Sequence, residues 1–282
     1  MYTLSVKNQY GEVLQLTQND AYSIKSVIGL DPPDAIINTT RNAGQDGSRY
    51  NSSYLDNRVI TITLAVNYPA EANRIQLYKY FRSKLPVTLY YSNESRDVFI
   101  NGYVQSMQVA YFDKKETVQI TILCPDTLFS GQGYGYANMS NILDEFEFPF
   151  SIAEEGIPFS DILAAQEKNV INYGDIETGA LITIEARGTV ENPEIFNSET
   201  AAYMMIQTEL EDGDLVTINT RPGQKSITLN RAGVITSLIG SLTEGSTWLQ
   251  LLPGDNVFGA YADAGLEYMD VNFEIIYKYQ GV

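Results

Sequence analysis

The side chains able to do acid–base or nucleophilic work in this 282-residue chain are carboxylates, tyrosines and lysines, because it has no histidine and a single cysteine, Cys124. That composition excludes a Ser–His–Asp triad, a Cys–His pair, a His-ligated zinc site and a thiolate metal cluster. Paired carboxylates held ~5–10 Å apart run glycoside hydrolysis. With 23 Asp and Glu in residues 131–282, however, such proximity arises by number alone and singles out no pair. Glu211-Asp-Gly-Asp214 crowds its acids more than a calcium loop allows and has no Glu at the closing position, so it reads as a tight turn. Gly131-Gln-Gly-Tyr-Gly135 lacks the preceding strand and following amphipathic helix of a dinucleotide loop. No Gly-x4-Gly-Lys-Ser/Thr string occurs. The expectation is a protein with no catalytic residues, no cofactor site and no metal site. One residue stands out for binding: the sole tryptophan, Trp248. Exposed, it would stack on a sugar ring and give a glycan contact; with Leu249, Leu251 and Leu252 beside it, it also reads as a core residue.

The elements that would position these residues are strands. Twenty tyrosines and long stretches of period-two alternation indicate a mainly β protein. Tyr2 to Leu16 reads as a hairpin turning at Asn8-Gln-Tyr-Gly11, and Tyr22–Ile28 as a strand. Pro32-Pro33 marks an extended loop or edge, and Asn42–Asn57 a long polar surface loop. In Arg58–Val66, residues Ile60, Ile62 and Leu64 share one face. Ile75, Tyr78, Phe81 and Leu85 fall at helical spacing, predicting one main helix over about 69–85. Strands follow at 87–91, 98–108 and 118–124, with Asp113–Glu116 as the turn between the last two. Beyond the Gly-rich stretch 130–137, alternation resumes at Phe146, Phe148, Phe150 and Ile152. Short strands separated by turns then recur to Tyr277, the pattern of an antiparallel β-sandwich. In the last of them Val271, Phe273 and Ile275 point inward, and Asp270, Asn272 and Glu274 outward. The division is an N-terminal β-barrel or α+β domain at 1–130, a Gly-rich linker at 131–145 and an acidic sandwich at 146–282.

Charge divides the same way. Residues 1–130 hold 12 Lys+Arg and 12 Asp+Glu, whereas residues 131–282 hold 6 and 23, which carries the whole net charge of −17. A neutral unit packs against copies of itself without accumulating repulsion; a strongly acidic one repels its copies. This balance argues against nucleic-acid binding. No apolar run long enough to insert in a membrane is present, and Met1–Gln9 has no signal-peptide core.

The order Gly29-Leu-Asp-Pro-Pro-Asp-Ala35, Asp46-Gly-Ser-Arg-Tyr-Asn-Ser-Ser53, Arg58-Val-Ile-Thr-Ile62, Asn73–Phe81, Gly102-Tyr-Val104 and Gln119–Phe129 resembles the N-terminal domain of the siphophage distal tail protein family. Ile171–Gly179, Asn192-Pro193, Asp214–Thr220 and Trp248–Asn256 are similar to its second half. The resemblance implies an N-terminal belt domain that closes a homo-hexameric ring, with a galectin-like or carbohydrate-module-like domain projecting from it. It implies contacts with the tail tube protein and with a tail-tip hub or receptor-binding protein. The location it implies is the virion tail tip, after synthesis and assembly in the host cytoplasm. The alternative is host-surface recognition, with a saccharide bound by the C-terminal sandwich. On this division residues 1–130 alone would carry ring formation.

Overall fold

The computed structural model describes residues 2–111, 115–139, 142–144, 160–162 and 167–282. Phe146, Phe148, Phe150 and Ile152 lie outside them, as do Asp113 and Lys114 of the Asp113–Glu116 turn. The chain divides into two compact units, Met1–Gly133 with Lys278–Val282, and Tyr134–Tyr277.

The first unit contains strands β1 (Thr3–Asn8), β2 (Val13–Gln15), β3 (Tyr22–Ile28), β4 (Ala35–Thr40), β5 (Arg49–Leu55) and β6 (Arg58–Val66). Helix α1 (Ala70–Tyr80) follows, then β7 (Pro86–Ser92), β8 (Asp97–Ala110), β9 (Thr117–Cys124) and the start of β10 (Phe129–Met139). Its antiparallel sheet runs β3-β6-β9-β8-β7-β1-β2. The first half of β8 pairs with β7 and the second half with β9, with a bulge between Val104 and Ser106 where the strand changes partner. Alternation works as the residues require: Ile60, Ile62 and Leu64 of β6 and Val118, Ile120 and Ile122 of β9 are buried together with Leu4, Val6, Leu77, Phe81 and Phe129.

The helix is shorter than the 69–85 expected from spacing. It ends at Phe81 because the next residues hydrogen-bond to β8 instead: Lys84 N donates to Val104 O (2.9 Å), and Val104 N to Leu85 O (3.1 Å). It is held inward by Leu77 and the adjoining Phe81, so Ile75 and Tyr78 are left exposed.

The second unit carries the rest of β10, then β11 (Ile142–Asp144), β12 (Ser160–Ile162), β13 (Lys168–Asn169), β14 (Ala180–Ala186), β15 (Val190–Glu191), β16 (Glu194–Asn197) and β17 (Tyr203–Met205). It continues with β18 (Glu209–Leu210), β19 (Leu215–Asn219), β20 (Ser226–Arg231), β21 (Val234–Ser237), β22 (Val257–Tyr261) and β23 (Met269–Tyr279). One sheet includes β23-β14-β19-β20-β21, and the second is β13-β22-β16-β17. Val271, Phe273, Ile275, Ile182 and Ile184 from the first meet Ile195 and Phe258 from the second in one core. The rings of Phe258 and Phe273 lie 5.0 Å apart across it. Asp270, expected to face solvent, is buried and paired with Arg187.

Residues 131–139, expected to lie in a Gly-rich linker, are part of strand β10. Gly135 serves close approach: a Cβ there would lie 2.1 Å from the Tyr277 hydroxyl. Among the described residues no helix is long and apolar enough to cross a membrane.

Candidate functional site

Among the described residues of the second unit, four acidic side chains pair with arginine: Asp270 with Arg187, Glu274 with Arg221, and Glu211 and Asp214 with Arg231. The buried Asp214 carboxylate accepts from Arg231 Nε (2.9 Å) and Nη2 (2.5 Å) and from Glu211 N (2.8 Å). Its hydrogen bonds to Arg231 hold it below the usual carboxylate range. The Glu211–Asp214 segment is thus a turn closed on an arginine. Among the described residues no group of three or more acidic or cysteine side chains is placed to hold a metal.

Trp248 is half-buried against the core of the second unit, and Lys225 Nζ lies 5.4 Å above its ring. Residues 248–252 form no strand, only a bridge between Leu251 and Thr178. Truncating this side chain removes packing from the core edge. Trp248→Ala is therefore expected to cost about 2 kcal/mol in chemical denaturation, roughly half the penalty of a fully buried aromatic. A stability change within error would show that the ring contributes no packing.

A hairpin with no further strand partner among the described residues lies in the first unit. Strands β4 and β5 pair only with each other, as a separate two-stranded sheet, and every residue of both is exposed. A lone hairpin is marginal in water and presents two unpaired edges, which are a template for pairing with another chain. Register sets its faces. Ile36 opposes Tyr54 on one side; Ala35, Ile37 and Thr39 oppose Leu55, Ser53 and Tyr50 on the other. Ile37 and Tyr50 are 61% and 60% exposed. Two cross-strand bonds keep the shape, Asn38 Nδ2 to Ser52 Oγ (3.1 Å) and Asn51 Nδ2 to Thr40 Oγ1 (2.5 Å); within β5 the Tyr50 and Ser53 hydroxyls lie 2.9 Å apart. A bulge at Asn38/Thr39 accommodates the extra residue, Asn51.

Of the polar loop expected over 42–57, residues 49–55 are strand β5; 42–48, with Gly44 and Gly47, form the tip of this arm, and 56–57 connect it to β6. The β-branched run Ile36-Ile-Asn-Thr-Thr40 was the available signal. Pro32-Pro33 before it and the polar stretch after it both suggest irregular chain and mask that signal. A second exposed patch lies on α1, where the Tyr78 and Tyr111 hydroxyls are 3.3 Å apart and Arg74 stacks on Tyr111 while pairing with Glu116 (2.7 Å).

Residues 9–124 match the phage tail protein RIFT-related domain, and residues 173–277 the siphovirus-type tail component, C-terminal domain. No curated protein sequence matches the chain. Among solved structures, the Dit (gp 19.1) protein of phage SPP1, described as a paradigm of the hub adsorption apparatus in phages infecting Gram-positive bacteria, superimposes with a TM-score of 0.67. The two are 15% identical over 98% of this chain and 99% of that one. A chain of the phage P2 baseplate in its activated conformation with calcium gives 0.52 at 14% identity, with all of both chains covered. At these identities the likeness is one of fold. The two sequence matches together take in most of the chain, in the order in which its two units occur, and on them this chain belongs to the siphophage distal tail protein family.

Proposed function

We propose that the chain is a non-catalytic structural subunit of the tail tip that closes a homo-hexameric ring through its first unit. The ring joins the tail tube protein to the hub or receptor-binding component, and it assembles in the host cytoplasm before incorporation into the virion. The observation that carries this reading is the β4–β5 arm, a fully exposed hairpin with apolar residues on both faces, suited to reach a neighbouring copy. A surface patch that meets a different patch on the next copy generates a ring when the rotation closes. Charge supports the same allocation. The first unit holds 13 Lys+Arg against 12 Asp+Glu, the second 5 against 23, so copies meet at the first and repel at the second. For Trp248 we favour packing over sugar stacking, since Lys225 already covers its ring.

Light scattering after size exclusion, with negative-stain imaging of the same peak, tests the assembly. The expected result is a mass about six times 31.4 kDa and rings of six-fold symmetry. A dimer or an open filament at the same concentration would contradict closure.

A further inference from the structure

Arg58, the first residue of β6, is 4% exposed. Its guanidinium donates from Nη1 to Gly29 O (2.6 Å) and Asp31 O (2.8 Å), from Nε to Thr127 O (2.6 Å) and from Nη2 to Gln280 O (2.5 Å). It also lies 4.6 Å over the ring of Phe129. Two of these acceptors belong to the segment that leads into β4, where the arm begins. Where the arm ends, Thr127 Oγ1 donates to Asp56 O (2.8 Å). Gln280 comes from residues that follow the second unit in the chain.

Its neighbours are seated as firmly. Val282 N donates to Leu30 O (3.2 Å), and Arg96 donates to Gly281 O and stacks 4.9 Å over Tyr279. Gly281 lies so close to the arm's lead-in that a Cβ there would be 2.9 Å from Pro32 Cδ and 3.1 Å from Leu30 O. Lys278 is anchored to Asp126 (2.7 Å) and Ser130 (3.0 Å).

We infer that residues 279–282, seated on Arg58 and Arg96, fix the direction of the β4–β5 arm, so that the ring-forming surface is completed only once the chain has been made through the second unit. The inference rests on the reading of the arm as the contact between copies. A guanidinium held by four carbonyls orients three chain segments at once, and removing one leaves a buried donor unmatched and the arm's root free to turn. A chain that stops short of residue 278 then presents its arm in many directions and is a poor ring member. Incomplete chains are thereby kept out of the tail without a separate check. Residues 1–130 alone, which the sequence suggests should assemble, lack this seat. Arg58, Arg96 and Gly281 are positioning residues: they act through the arm.

The test uses the full chain, with spin labels on Gln45→Cys at the arm tip and Thr88→Cys on β7, diluted with unlabelled protein and read as a distance distribution. A narrow distribution is expected for the otherwise wild-type chain. Gly281→Val, which forces the seat open, is expected to broaden it and to raise the concentration needed for rings by about tenfold, the effect of a modest loss at each contact. Arg96→Met, which removes the hydrogen bond to Gly281 O and the stacking on Tyr279 from a half-buried position, should shift both readouts the same way should Gly281→Val fail to fold. A broad wild-type distribution, or variants indistinguishable from wild type, would overturn the inference. If rings survive charged substitutions in the arm itself, the arm reading fails instead, and the two failures are separable.

Discussion

A chain carrying Ile37→Asp and Tyr50→Asp is expected to elute as a 31.4 kDa monomer under conditions where the wild type runs as a ring. Both residues lie on the same face of the arm, flanking Thr39 and Ser53, and neither contributes to either core. The far-ultraviolet circular dichroism of the monomer should therefore match wild type, and its melting temperature that of wild-type chains diluted to the monomer. At a contact between copies the same substitutions bury two unpaired carboxylates, each costing several kcal/mol, where two apolar side chains had been. Each 1.4 kcal/mol weakens a contact tenfold, and a closed ring meets the penalty at every interface, so association is lost at any ordinary concentration. If the double variant still forms rings, the contact lies elsewhere. The exposed Ile75 and Tyr78 on α1 are then the surface to charge next.

Cys124 is expected to be inert to a thiol reagent such as DTNB at pH 8 in the native protein and to titrate as one thiol per chain in guanidinium. The side chain is fully buried beside Arg58. Burial pushes its thiol up to about 12, with the arginine pulling only partly in the other direction. Only the thiolate attacks. At pH 8 an ordinary cysteine is about one-fifth ionised, whereas one titrating near 12 is ionised in roughly one molecule in ten thousand, a suppression of about three orders of magnitude before steric exclusion is counted. Raising the pH toward the folded-state value should restore reactivity progressively. A full equivalent reacting within seconds at pH 8 would mean that the wall formed by β6 and β9 opens readily. The same inertness makes Cys124 compatible with cysteine-directed labels placed at the surface.

Much of this fold is legible in the sequence wherever a strand buries one face. Alternation in Arg58–Val66 and in Val271, Phe273 and Ile275 assigns the inward residues directly, because the side-chain period of a strand leaves no freedom once one face is apolar. The arm was illegible for the converse reason. With no face buried within its own chain, Ile36-Ile-Asn-Thr-Thr40 and Arg49–Leu55 show no alternation to find. Helix α1 misled through spacing alone: Ile75 and Tyr78 stand at helical intervals but face solvent, while Leu77 faces the core. Gly-rich 131–135 resembles a linker in composition, yet at Gly135 the missing side chain makes room for Tyr277, a long-range fact that no local window contains. The seat of residues 280–282 on Arg58 is equally long-range: more than two hundred residues separate the donor from Gln280.

The choice of acceptors around Arg58 has a consequence for the medium in which the particle persists. Its hydrogen-bond acceptors are peptide carbonyls, permanent dipoles that hold no mobile counterion atmosphere of their own. Ion pairs such as Arg74 with Glu116 loosen as electrolyte screens them, whereas a buried cation among carbonyls feels little of the bulk ionic strength. An arm rooted this way keeps its aim in fresh water and in salt alike.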